Sequence, residues 1–284
     1  MPDWHPVGPL AAVDRNRLPP PDHSRCQTAN ALLIMHRSAV LAVGEQPGTV
    51  KLDDDWIRSW ARVTRLGQGT AGNDSGLPEQ VRNRRRAALA SLATEGGTAT
   101  RTIALEPMTA LVTGTGAGGI RDVGIELHGT YGWPVLPGTT LKGVAHSFAR
   151  DSGVAAPDQA AIFGAPPGED GDPPRTGAVT FLDALPGPGG IGVAEHVLTP
   201  HTRGYRLDPD DDNEDAAVPP AEYINPVPVP FLVLSGGTFL VHLIGPESEV
   251  DRAAELLKQA VRDIGIGAKT TSGYGYLTGQ DSQP

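Results

Sequence analysis

From Arg101 to Leu277 the sequence switches repeatedly between the alternating pattern of a strand and the staggered pattern of a helix, and this alternation constrains the fold most. Residues 102–112 read as a strand interrupted at Pro107, followed by a glycine-rich loop over 114–119 and a second extended piece at 123–128. Gly138 and Thr139 open a helix on which Leu141, Val144, Ala145 and Phe148 form an apolar stripe, with Lys142, His146 and Arg150 on another face. Residues 178–184 read as a strand. Residues 227–234 and 238–244 read as two more, joined by a turn at Gly236-Gly237 in a hairpin whose first strand, with Pro228 and Pro230, belongs at an edge. Ser248 with Asp251 suits a capping box ahead of a last helix buried through Val250, Ala253, Leu257, Ala260, Val261 and Ile264. A glycine-rich loop over 265–276 leads into a final strand. The order β-α-β-β-α-β predicts an α+β, ferredoxin-like domain: a helix layer on one antiparallel sheet.

Three regions follow. Residues 1–30, rich in proline and charge, read as an extended arm, and 31–100 as a helical extension on the core. The ferredoxin-like domain takes 101–284, with an insertion at about 186–226. Within the extension, residues 30–43 suit a buried helix. Asp53, Asp54 and Asp55 start another that carries Arg58, Arg62 and Arg65 in one stripe, and residues 78–94 form a third with Arg82, Arg85 and Arg86 near its start. A solvated Arg face is the plainer reading of that last cluster.

The net charge of -10 taken alone argues against nucleic acid, but residues 1–100 carry 12 bases and 10 acids while 101–284 carry 11 and 23. Much of the acid sits in two loops, around Glu169 and from Asp208 to Asp215. Only 4 of the bases are lysines, which singles out Lys142 and Lys269. The lone Cys26 excludes an intrachain disulfide and a cysteine-based zinc site. No apolar run is long enough to span a bilayer, and the cytoplasm is the expected address, with no membrane partner.

Several tempting motifs lack the chemistry they suggest. The loop at Gly114 has no Lys-Ser/Thr pair at phosphate-loop spacing. The acidic run from Asp208 has Asn213 and Pro219 where a calcium loop needs Gly and Glu. His196 and His201 have no metal partner in sequence, so no metal or other cofactor is expected. A histidine could act as general base in RNA cleavage, with Arg203 or Lys142 stabilising the transition state, but nothing in the sequence positions it.

Two segments answer each other. In residues 137–143, PGTTLKG, the N–H groups of a helix start, the hydroxyls of Thr139 and Thr140, and Lys142 suit an anion. In residues 265–276, glycines permit close approach, Lys269 supplies charge, Thr270, Thr271 and Ser272 supply hydroxyls, and Tyr274 and Tyr276 could stack on bases. The alternative for each is that the glycines only turn the chain and the tyrosines pack in the core.

Together these segments resemble the RAMP superfamily of CRISPR-associated proteins, whose RRM-related domains share a Gly-Ser/Thr-x-x-Lys-Gly helix start and a glycine-rich loop near the C-terminus. Here these are Gly138 to Gly143 and Gly265 to Tyr276, with Phe163-Gly164 also familiar. LTPHTRGY at 198–205, the acidic loop, and the proline-rich lead into a hydrophobic hairpin look like the single-domain backbone subunits of the Cmr complex, the type III-B RNA-guided effector. The resemblance implies a non-catalytic subunit that binds crRNA toward its 3′ end, meets target RNA through it, and packs against other RAMP subunits of the Cmr complex. RNA contacts are then expected at Gly138, Thr139, Thr140, Lys142, His146, Arg150, His201 and Arg203, and at Gly265, Gly267, Lys269, Thr270, Thr271, Ser272, Gly273 and Tyr274. The competing reading is a metal-independent guide-processing endoribonuclease on the same fold, using His146 or His201.

Overall fold

In a computed structural model, the residues described are 30–32, 35, 41–43, 50–52, 54–62, 65–67, 76–93, 96–115, 125–167, 173–199 and 228–282. The extension begins with a short antiparallel pair, β1 (Leu41–Val43) and β2 (Val50–Leu52), so the helix expected over 30–43 does not reach Leu41. Helices α1 (Asp54–Ala61) and α2 (Leu77–Ala93) follow.

The main sheet then starts with β3 (Ala99–Pro107), and the chain crosses to α3 (Gly138–Asp151) and α4 (Ala156–Phe163). No sequence signal had suggested α4. Its first turn carries a proline, which suits a helix start because that N–H has no intrahelical partner. Two-residue strands β4 (Gly164–Ala165) and β5 (Arg175–Thr176) pair with each other. After them come β6 (Thr180–Phe181), β7 (Leu185–Leu198), β8 (Val229–Gly245), α5 (Glu247–Asp263) and β9 (Leu277–Ser282).

Across the sheet, β6 and β7 lie in succession along one edge of β8, then come β3 and β9, with every pair antiparallel. This is the ferredoxin-like order expected from the sequence. Ile103, Leu105, Phe239, Val241 and Leu243 face one side and bury Leu141, Ala145 and Ala149 of α3 and Val250, Ala253, Leu257 and Val261 of α5. The apolar stripes of both helices thus do what their spacing requires, removing hydrocarbon from water against the sheet.

Three expectations need correction. First, Gly236-Gly237 does not make a hairpin. Both glycines have positive φ, at 63° and 80°, and β8 runs on through them, with Gly236 an extra residue between the partners of Ile191 and Gly192 and, on the other side, 187–190 of β7 opposite Thr238 alone. Leu232 and Leu234 before the bulge share a core with Phe239, Val241 and Leu243 after it. The extra residue changes the inward parity from even to odd numbers, keeping one face apolar along a strand of 17 residues. Second, the stretch expected as an insertion at about 186–226 begins within a strand: Leu185–Leu198 is β7, and 200–226 lies outside the described residues. Third, α5 begins at Glu247 after Pro246, with no side-chain cap, so Ser248 lies inside the first turn and bonds the Glu249 carboxylate instead of closing a capping box.

The sheet's other face is partly covered by α2. Val81, Arg82, Arg85 and Arg86 lie over Leu185, Leu240 and His242. His242 is buried, and its Nδ1 shares a hydrogen bond of 3.0 Å with Thr102 Oγ1 directly across β3 and β8. Burial, reinforced by Arg85 and Arg86, lowers its pKa from 6.5 to about 4. Helix α1 ends at Ala61, so Arg62 and Arg65 lie beyond it and the expected stripe is not one helix face; even so, Arg58 of α1 is 3.8 Å from Glu195, and Arg65 donates to the carbonyls of Gly189 and Gly190 at 3.5 and 3.3 Å. Among the described residues no helix is long and apolar enough to cross a membrane.

Candidate nucleic-acid interface

The two segments singled out in the sequence meet across a groove of about 430 Å³. One wall is the start of α3, through Pro137 and Thr140; another is the C-terminal loop, through Ile266, Gly267 and Ala268. Between them run Thr113, Gly114, Thr115, Glu126 and Leu136. These last two strips are held side by side by Glu126 N donating to Thr113 Oγ1 at 3.0 Å. The C-terminal loop is tied in by Ala268 N donating to Val112 O at 2.8 Å and Gly275 N to Ala110 O at 2.9 Å. Sequence reasoning missed Thr113, Thr115 and Glu126. It had weighed the Gly114 loop only as a nucleotide motif, and nothing local ties that loop to residue 267.

The start of α3 is partly occupied. Gly138 N donates to Asp183 Oδ1 at 2.7 Å, and the N–H groups of Thr140 and Leu141 turn back to Pro137 O. A protein carboxylate therefore takes the place where an anion was expected at Gly138, and that part of the helix-start reading is corrected. Asp183 is itself placed by Arg85, which donates to its carbonyl at 2.7 Å. What remains open is the outer side of the first turn, with Thr139, Thr140 and Gly143 exposed and Lys142 half-buried.

In the C-terminal loop Lys269 adopts a left-handed conformation, φ 61°, and is the only non-glycine among the described residues with positive φ. One turn of 3₁₀ helix over Thr270–Ser272 follows and ends at Gly273. Lys269 O accepts from Ser272 N and Tyr274 N, and Tyr276 Oη donates to Thr270 O, so the loop is internally pinned. Thr271, Ser272 and Gly273 are exposed at its tip. Gly265 and Gly267 serve the chain's own crossings: a Cβ on Gly267 would lie 2.4 Å from Val112 O, and one on Gly265 3.1 Å from Gly275 O. For these two, the turn-making alternative is the one observed.

Tyr274 is not a free stacking surface. Its hydroxyl and His196 Nδ1 share a hydrogen bond of 3.0 Å, and its ring packs edgewise on Phe231, 6.0 Å away, in a small apolar cluster with Val112 and Val233. His146 and Arg150 continue the Lys142 face of α3 away from the groove. His146 stacks on Phe163 at 4.9 Å, and Arg150 pairs with Asp151 at 3.2 Å. His201 and Arg203 lie outside the described residues. Among those described, Lys142 and Lys269 have neither a hydrogen-bond nor an ion-pair partner, and no cluster of His, Cys, Asp and Glu could hold a metal. The groove thus offers hydroxyls, backbone, the Glu126 carboxylate and two unpartnered ammonium groups nearby, and the ammonium groups suit contact with phosphate.

A stretch of this chain is 33% identical over 115 residues to the CRISPR system Cmr subunit Cmr6 of Pyrococcus furiosus, covering 36% of this chain and 31% of that protein. The fold matches a chain in the cryo-EM structure of the type III-B Cmr-beta bound to cognate target RNA, with a TM-score of 0.56, 20% identity, and coverage of 81% of this chain and 72% of that one. At that identity the likeness speaks for the fold. The model of the RAMP superfamily matches residues 104–278, which take in the end of β3, the start of α3 and the glycine-rich loop, and the chain belongs to that superfamily.

Proposed function

We propose that this chain is a guide-RNA-binding backbone subunit of a type III-B CRISPR effector, comparable to the sixth subunit of the Cmr complex, and that it is not itself a nuclease. The observation that carries this reading is the convergence of the two superfamily segments on one groove flanked by unpartnered Lys142 and Lys269. The partial identity to a Cmr6 protein points to the same complex. On this reading crRNA runs past Thr139, Thr140 and Lys142, across the groove, and over the tip at Lys269 to Gly273, near its own 3′ end. Neighbouring RAMP subunits hold the rest of the guide, and target RNA meets this subunit through the guide.

His146 does not favour a cleavage role. Its ring is engaged with Phe163 and, among the described residues, no second group orients it as a general base would require.

The test is co-purification with the products of neighbouring genes. A short guide RNA should accompany the assembly, and K142A with K269A should weaken its retention. Each lost phosphate contact should lower the slope of log affinity against log salt by about 0.7. Unchanged RNA retention and slope in the double variant would defeat the proposed track, and specific cleavage of repeat RNA by the purified chain in EDTA would defeat the non-catalytic reading.

A further inference from the structure

The hairpin that lines the groove with Glu126 and Leu136 carries a column of three rings at its tip. Its stem is closed by the bridge between Leu127 and Pro134, and its turn by Gly132 N donating to His128 O and His128 N to Trp133 O, both at 2.7 Å. Trp133 is 2% exposed and forms the base. Tyr131 stacks on it with centroids 4.6 Å apart and planes 16° from parallel. His128 stacks on Tyr131 in turn, at 4.7 Å and 25°. Tyr131 is thus covered on both faces, and partly exposed His128 ends the column.

The end ring is held in one chemical form. The backbone N–H groups of Thr130 and Tyr131 point at His128 Nδ1, at 3.2 and 3.4 Å, which makes that nitrogen an acceptor and leaves the proton on Nε2. Burial lowers the ring's pKa, Asp183 opposing and Arg85 reinforcing, so the imidazole is neutral at neutral pH. Neither Nε2 nor the Tyr131 hydroxyl has a hydrogen-bond partner among the described residues.

A flat, neutral ring with a free N–H at its edge, ending a nearly parallel stack, is a surface for another flat ring. We propose that the column of Trp133, Tyr131 and His128 is a base-stacking platform on which one nucleobase of single-stranded RNA continues the stack. The inference rests on the groove's being an RNA track, because the hairpin that carries the platform also lines the groove through Glu126 and Leu136. Stacking is indifferent to base identity, so the platform positions RNA without reading its sequence.

The experiment uses the assembly purified with the neighbouring gene products and a uridine-rich single-stranded RNA carrying thiouridine. Irradiation should attach a nucleotide within residues 128–133. H128A should lose that crosslink and bind RNA roughly 5- to 100-fold more weakly, with an unchanged salt slope because no phosphate contact is removed. H128F loses the same Nδ1 bonds but keeps a ring, and it should retain both the crosslink and most of the affinity. Equal losses in H128A and H128F would show that the turn's hydrogen bonds, not a stacking face, are at stake, and would overturn the proposal. Absence of the wild-type crosslink while K142A with K269A still weakens binding would overturn the platform alone. No RNA retention by the wild-type assembly would overturn the track and the platform together.

Discussion

The two glycines that bracket the helix-start motif have opposite surroundings. A Cβ on Gly138 would lie 2.1 Å from Phe181 O, whereas one on Gly143 meets nothing within 4 Å. Gly138 is therefore a packing requirement: it lets α3 begin directly against β6 while its N–H reaches Asp183. G138A should cost about 2–4 kcal/mol, seen as a lower urea midpoint, because a backbone carbonyl cannot step aside as a side chain can. G143A should stabilise the fold by up to about 1 kcal/mol, since an exposed glycine inside a helix gives way to a better helix former. If RNA passes over this turn, the same variant should bind guide RNA more weakly despite folding better. Gain in stability without loss in binding would place the strand elsewhere.

At the scale of elements, the long β8 depends on the glycine crossing. Gly237, next to Gly236, pairs with Ile191 on β7, beside Gly189 and Gly190, and all four glycines have positive φ. A Cβ on Gly237 would lie 2.1 Å from Gly190 O. G237A should therefore combine backbone strain with a clash, destabilise by about 2–4 kcal/mol in denaturant titration, and shorten amide-exchange protection over 229–235 more than over 239–245. The outer half of the β7–β8 arm is held to the body through this crossing and through Leu66, whose N–H and C=O both pair with Ile191 at 2.8 Å. Equal loss of protection along all of β8 would show that the bulge does not divide the strand.

For the whole molecule, the covering of the second sheet face links stability to pH. His242 lies neutral beneath α2, with a folded pKa of about 4 against 6.5 when exposed. The unfolded chain takes up a proton first as pH falls, so this contribution is complete above 6.5, is lost as pH drops toward about 4, and changes no further below that. Between pH 7 and 5 the loss should be about 2 kcal/mol, and H242Q should show that much less pH dependence over the same interval in urea titrations. Identical profiles for the two proteins would mean that His242 is not the group responsible.

How much was legible follows from the range of each interaction. Strand and helix order and the apolar faces of α3 and α5 are carried by local pattern, because burial of one helix face dictates its spacing whatever it packs against. A glycine pair reads alike in a hairpin and in a bulge; only the partner strand, with its own glycine pair, decides between them. Asp183 at the start of α3, Tyr274 against His196, and Arg58 and Arg65 against β7 were illegible because each joins residues far apart in sequence. The sequence by itself determined the ferredoxin-like order and the two segments that line the groove. Only the tertiary structure decided which of their charges are already answered from within the protein and which still need a partner, since an ion pair depends on distance in space and leaves no period along the chain.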